Sequence, residues 1–299
     1  MKFNAKVDNM NVGNDFQNVN VILSTGEKRN VKLDESQVKL IELGKTYHFE
    51  VEIVVNNEKE QLKLIHLESL FDHIDDPYEL KDELTKFYQY APVDIKELKE
   101  SIETYLESIS NPVIKKITKH IYNKYEKAFY MYPAAVRFHH AYIGGLAYHT
   151  KTMLDIAKRF SEVYTYLNMD YLYSGILLHD VCKIKELSGF EGGEYTVEGQ
   201  LIGHLVMGAI EVDRAVKTLE LESSEEALIL KHILISHHGL PNFGAAKKPA
   251  TAEAMLIWYI DTIDSKFTVL GEELEKTNPG EFTQNIAVLD KQRFFKPNK

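Results

Sequence analysis

Cysteine is almost absent from this chain: Cys182 is the only one among 299 residues. A lone thiol closes no internal disulfide, which excludes a disulfide-stapled scaffold and fits a reducing compartment. Lying two residues past an aspartate, Cys182 is placed where it could be a ligand, but a small packing residue is the expectation. No apolar run approaches the roughly 20 residues that a membrane-spanning helix needs, and Met1-Lys2-Phe3-Asn4 leads into polar residues instead of an apolar signal core. The expected location is therefore the cytoplasm, with no membrane partner. An excess of basic residues is missing as well. With 35 Lys and Arg against 45 Asp and Glu, the net charge is −10, and no global positive field draws in a polyanion. Contact with nucleic acid must then rest on local patches, for which Lys115 to Lys127, Lys247-Lys248 and Lys291 to Lys299 are the candidates. Repeats and low-complexity segments are also lacking. A hydrophobic content of 44% with 27% charged residues is that of a soluble globular chain, long enough for one large domain and a small one.

What is present divides into two patterns. Up to about Leu70 the sequence alternates as strands do, in Val19 to Leu23, Tyr47 to Val55 and Gln61 to Ile65, with Ser24-Thr25-Gly26-Glu27 and Asn56-Asn57-Glu58 as turns. This predicts a small antiparallel β-domain, a short barrel, over residues 1–75, in which His48 and His66 are structural or surface residues. Asp76-Pro77 then reads as a helix N-cap with proline at the first helical position, and the period changes to that of helices. Ile95, Leu98, Ile102, Leu106 and Ile109 trace one apolar face, and Asn111-Pro112 opens the next helix. The expected segmentation is a helical linker region over 76–130 and a main helical domain with a C-terminal tail over 131–299, so that the chain as a whole is mainly α. Ser188 to Glu194 is a glycine-rich connector or flap.

Within the helical part, histidine is concentrated: eight of the twelve fall between His139 and His238. His149 shares a stripe with Leu146, Met153, Ile156 and Phe160, so its imidazole faces a core. His204 lies in line with Leu201, Leu205 and Gly208, His237 with Leu230 and Leu234, and Asp261 follows Trp258 by three residues in an apolar helix. His179-Asp180 ends the apolar run Tyr171 to Leu178. One such residue is usually a core group bonded to a carbonyl. Four of them and the His-Asp pair together are costly to desolvate unless a cation compensates them. Imidazole and carboxylate without thiolate suit Mn, Fe, Zn, Ni or Mg. If Asp180 bridges, His149, His179 and Asp261 complete one ion while His204 and His237 or His238 hold a second about 3.5–4 Å away, the separation used for in-line displacement at phosphorus.

These residues resemble the H…HD…D signature of the HD superfamily of metal-dependent phosphohydrolases. More narrowly, His139 to Thr150, Tyr195 to His204, Ile235 to Gly239 and Ala254 to Lys266 are similar to motifs of the YhaM-type bacterial 3′-to-5′ exoribonucleases, over roughly residues 77–275. The resemblance implies an α-helical HD domain over 131–299, an OB-fold at the N-terminus, here reduced, and divalent ions, two in number, manganese foremost, with Fe, Ni, Zn, Mg or Co as alternatives. It implies a phosphodiesterase that uses metal-activated water on the 3′ end of single-stranded RNA or DNA; the sequence leaves the oligomeric state open, a homo-oligomer included. The metal set is then His149, His179, Asp180, His204, His237, His238 and Asp261, and the catalytic set Asp180, Lys183, His140, His238 and Arg137. Lys183 and Arg137 would stabilise charge, and His140 or His238 would serve as general acid. The family's usual Ile-Gly-Lys after the His-Asp pair reads Val181-Cys182-Lys183 here. Two other functions fit the same residues: hydrolysis of small nucleotides, and a non-catalytic regulatory role for a metal-stabilised HD fold.

Overall fold

The computed structural model describes residues 1–13, 16–56, 59–135, 141–191 and 194–298. The chain forms two compact units, Met1–Tyr90 and Ala91–Lys299. Among the described residues no helix is long and apolar enough to cross a membrane.

The first unit is built on strands β1 (Lys2–Val12), β2 (Gln17–Leu23), β3 (Lys28–Lys32), β4 (Thr46–Asn56) and β5 (Lys59–Ser69), with a short helix α1 (Glu35–Val38) between β3 and β4. The strands close into a barrel in the order β1-β2-β3-β5-β4, an OB-like arrangement. Alternation puts Ala5 and Val7, Val19 and Val21, Val31, Phe49 and Val51, and Leu64 inside, because successive strand side chains point to opposite faces. Four of the five ladders are antiparallel, as expected from the sequence. The fifth is not: β3 meets β5 in parallel through Val31↔Leu62 and Lys32↔Lys63. Barrel closure dictates this pairing, which local alternation does not encode. Helices α2 (Leu70–His73) and α3 (Pro77–Leu84) stay with the barrel. Asp76 caps α3 by accepting from the Tyr78 and Glu79 amides, and Asn4 donates to the Glu83 carboxylate at 3.0 Å. His48 is half-buried against the His73 ring and His66 is exposed.

The second unit is helical: α4 (Ile95–Ser108), α5 (Pro112–Phe129), α6 (Gly145–Ser161), α7 (Met169–Leu178), α8 (Lys183–Glu186), α9 (Val197–Leu201), α10 (His204–Thr218), α11 (Glu225–Ser236) and α12 (Ala252–Lys276). Its centre is α7, where every residue from Leu172 to Leu178 is buried. A helix apolar on all sides must be enclosed, and α4, α5, α6, α11 and α12 surround it. Asn111 caps α5 ahead of Pro112. The lysines of α5 are largely neutralised within the unit: Lys115 and Lys119 pair with Glu107, and Lys124 with Glu211. Cys182 is fully buried.

Glu211 on α10 is 2% exposed and lies between Lys124 and Lys185, the latter at 2.8 Å. Burial pushes its carboxyl up, but the two ammonium groups outweigh burial and hold it at about 2, against 4.5 ordinarily. The folded value lies below the unfolded one, so the stabilisation is complete above pH 4.5, shrinks below it and is gone once pH passes below about 2. At about 1.4 kcal/mol per unit it is worth up to about 3 kcal/mol. Urea unfolding of the wild type should therefore weaken between pH 5 and 2 more steeply than that of Glu211→Gln. Parallel profiles would show that the pair adds no pH-dependent stability.

Candidate metal and phosphodiester site

The candidate donors reach one point in the second unit from five helices. His149 projects from the middle of α6 and Asp261 from the middle of α12, whereas His179 is the C-terminal cap of α7, His237 that of α11, and His204 the first residue of α10. Helix ends suit this task because the chain turns away there and leaves room for an ion. His149, His179, Asp180, His204 and His237 are all buried.

Asp180 stands between two imidazole groups. Its Oδ2 lies 3.3 Å from His179 Nε2 and 3.8 Å from His149 Nε2, while its Oδ1 lies 3.2 Å from His204 Nε2 and 3.8 Å from His237 Nε2. Asp261 Oδ1 is 3.5 Å from His149 Nε2. The donor atoms gather into two clusters, His149 with His179 and Asp180, and His204 with His237 and His238.

The opposite nitrogen of each ring is already engaged. His179 Nδ1 donates to the Ile176 carbonyl at 2.7 Å, His237 Nδ1 to Leu234 at 2.8 Å and His238 Nδ1 to Phe243 at 2.7 Å. A carbonyl only accepts, so these three rings carry their proton on Nδ1 and turn an Nε2 lone pair toward the centre. Carboxylates hold the other two: Asp264 Oδ2 lies 2.6 Å from His149 Nδ1, and both Glu186 oxygens lie 2.9 Å from His204 Nδ1. Glu186 also accepts from the His204 backbone amide. Carboxylate or carbonyl behind imidazole is the arrangement that orients metal-binding histidines.

Whether these residues fit a cation can be judged from what they leave unsatisfied. Asp180 Oδ1, His204 Nε2 and His237 Nε2 are buried and have no hydrogen bond, and His149 Nε2 faces His179 Nε2 at 3.3 Å. Buried acceptors converging on acceptors are unfavourable without a cation among them. The titration behaviour differs between the donors. Burial pushes His149 down, yet Asp261 and Asp264 outweigh it and hold it up at about 10. Burial raises the Asp180 carboxyl, but His179 and Lys183 keep it well below the carboxylate range. His237 is driven well below the usual imidazole value by burial and by its neighbours His238 and His179. Asp180 is thus poised as an anionic carboxylate and His237 as a neutral imidazole, the forms that bind metal, whereas His149, which its carboxylate neighbours keep protonated, would release a proton on binding one.

In front of the donors lies a cleft of about 570 Å³ whose lining includes Lys183, His238, Phe243, Trp258, Asp261 and Lys266. Lys183 Nζ sits 2.6 Å from Asp180 Oδ2. Arg137 and His140, expected as charge stabiliser and general acid, fall outside the described residues, as do Gly192 and Gly193 of the connector 188–194.

The HD domain model matches residues 146–266, which span His149 through Asp264. Two curated relatives, the 3′-5′ exoribonuclease YhaM of Bacillus licheniformis and that of Bacillus velezensis, are 42% and 41% identical over 211 residues, covering 71% of this chain and 67% of each relative. The chain belongs to the YhaM-type family of the HD superfamily. As a member it is a hydrolase that binds divalent metal.

Asp264 and Glu186 are the members of this YhaM-type site that reading the sequence missed. Asp264 follows Asp261 by one helical turn, a spacing that signals a shared face. Glu186, in Lys183-Ile184-Lys185-Glu186, looks like part of a solvated charge run, and its local sequence carries no sign of burial. Replacing Glu186 by Gln, or Asp264 by Asn, keeps shape but weakens the hold on Nδ1 and is expected to lower metal affinity about 10–100-fold. Isothermal titration with manganese measures this directly. Unchanged affinity in both variants would mean that the rings are oriented by packing alone.

Proposed function

We propose that this metal-dependent 3′-to-5′ exonuclease takes single-stranded RNA by its 3′ end and releases nucleoside monophosphates stepwise, using two divalent ions held by the residues named above. The observation that carries the reading is the division of Asp180, one carboxylate oxygen toward His149 and His179 and the other toward His204 and His237. His149, His179, Asp180 and Asp261 would hold one ion, and Asp180, His204, His237 and His238 the other, with manganese as the proposed metal. Bound ions of this kind supply Lewis acidity and a nucleophilic water near neutral pH.

The chain's own residues do the rest. Lys183 and Lys266 put two cations on the cleft wall, where phosphate oxygens of the strand can pair with them. His238 has one nitrogen committed to the Phe243 carbonyl, so Nε2 serves either as ligand or as general acid but not as both. Its grouping with His204 and His237 supports the ligand role and leaves proton donation to another group, for which His140 is the candidate. Because the donors are recessed, a duplex with paired and stacked bases cannot bring a phosphodiester to them, whereas a single-strand end can. The relatives' names support RNA over DNA.

The test compares 5′-labelled single-stranded RNA, the matching DNA, a duplex and a panel of mononucleotides at equal manganese. A ladder of shortened products, fastest on RNA, is the expected result. Turnover confined to mononucleotides would replace this reading with hydrolysis of small nucleotides.

A further inference from the structure

The cleft contains more than phosphodiester chemistry requires. Phe243, on the turn between α11 and α12, exposes 60% of its surface, and Tyr259, on the first half of α12, exposes 47%. Both line the cleft in which Asp261 and His238 present their polar ends. Tyr259 is stacked on Trp258 with ring centroids 4.8 Å apart and planes at 21°. Trp258 is itself backed by Gly239, where even a Cβ would fall 2.0 Å from the indole, so the aromatic wall is seated and not free to swing. Along α12, Tyr259 and Lys266 are two turns apart, roughly 10 Å at 1.5 Å per residue, with Asp261 between them. Tyr259 and Lys266 share one face of the helix, and Asp261, offset from both around the helix axis, lines the same cleft, so aromatic face, carboxylate and cation border one space.

Resting on the exonuclease reading above, we propose that Phe243 and Tyr259 form a stacking subsite that seats the 3′-terminal nucleobase of the strand and so places the last phosphodiester against Asp261 and His238. Flat aromatic faces next to cations are what single-stranded nucleic acid engages when it is bound without sequence preference. The polar groups on the same wall agree. Thr262 Oγ1 donates to the Trp258 carbonyl and Ser265 Oγ to the Thr262 carbonyl, so both hydroxyl protons are spent within the helix and neither donates to a base edge. The recognition proposed is therefore chiefly of a π-face, which every base presents. Phe243 has a second tie to the chemistry: its carbonyl accepts the His238 Nδ1 proton at 2.7 Å, so the residue that meets the base also sets the direction of His238 Nε2. Phe243→Ala removes the ring and keeps that carbonyl, which separates the two contributions.

Trp258 is the only tryptophan, and its fluorescence reports on the subsite without hydrolysis. Single-stranded oligoribonucleotides with an ordinary 3′-terminal nucleotide, or with an abasic one at the terminal or at an internal position, are titrated against wild type, Phe243→Ala and Tyr259→Ala without added metal. The same strands are then used as substrates with manganese. The expected result is saturable quenching, weakened about 5–150-fold by an abasic terminal residue but not by an internal one, and weakened to a similar extent by either variant on the ordinary strand. On the terminally abasic strand the variants should lose nothing further, and KM should follow the same pattern. Phe243→Leu, which keeps apolar bulk without the flat face, should behave as Phe243→Ala does, and unchanged thermal unfolding would show that the variants remain folded. Equal losses by the variants on ordinary and abasic ends would overturn the subsite. Base-dependent quenching without any shortening of the strand would uphold the subsite and overturn the exonuclease reading instead.

Discussion

Asp180→Ala should empty both metal positions and lower kcat by about 10³-fold or more, the scale of losing several kcal/mol of metal-based charge stabilisation. The expectation follows from the division of one carboxylate between two imidazole groups, with Oδ1 3.2 Å from His204 and Oδ2 3.3 Å from His179. Without it, the His204 cluster is left with imidazoles only and the His149 cluster with Asp261 as its one carboxylate, so both positions lose the anion they share. His204→Ala should differ in kind. It removes a donor from one cluster only, so the ion between His149, His179 and Asp261 should remain while the other is lost. Elemental analysis of dialysed protein, alongside turnover of a labelled RNA strand, reads both effects. Two ions per chain and wild-type turnover in Asp180→Ala would refute the shared carboxylate, and loss of both ions in His204→Ala would show that the two positions are not separable.

The second large effect expected is structural. Gly239 follows the His237-His238 pair with φ at +74°, and a Cβ placed there would lie 2.0 Å from the Trp258 ring. Gly239→Ala therefore combines a left-handed backbone cost of about 1–2 kcal/mol with overpacking of about 1–3 kcal/mol, a total of about 2–5 kcal/mol. The displaced Trp258 would carry Tyr259 with it, and the turn would no longer aim His238, so activity should fall together with stability. Gly244→Ala is the control. Its φ is +95°, yet the nearest atom to a new Cβ is His238 Nδ1 at 3.9 Å, so it should lose only the backbone part. Urea unfolding followed by Trp258 fluorescence separates the two, and a Gly239→Ala loss no greater than that of Gly244→Ala would mean that α12 yields to the new methyl at little cost.

The sequence by itself determined those features whose cause is local. Asp76-Pro77 and Asn111-Pro112 start helices because a capping side chain and a proline act within one turn. Ile95, Leu98, Ile102, Leu106 and Ile109 are buried as their spacing requires. His149, His204 and His237 were conspicuous because a polar group on an apolar stripe is an energetic anomaly visible without coordinates, and the structure does bring them together around Asp180.

Only the tertiary structure decided which groups stand behind those donors and what lies before them. Glu186 reaches His204 from 18 positions away and Asp264 reaches His149 from 115, and nothing in the sequence names either pairing. The parallel β3–β5 ladder comes from barrel closure, a property of five strands at once. The cleft likewise joins Phe243 from a turn with Tyr259 from a helix. Hydrogen bonds and van der Waals contacts act over a few ångströms, so partners distant in the chain become partners only when helices pack, and the second layer of the site is written in that packing.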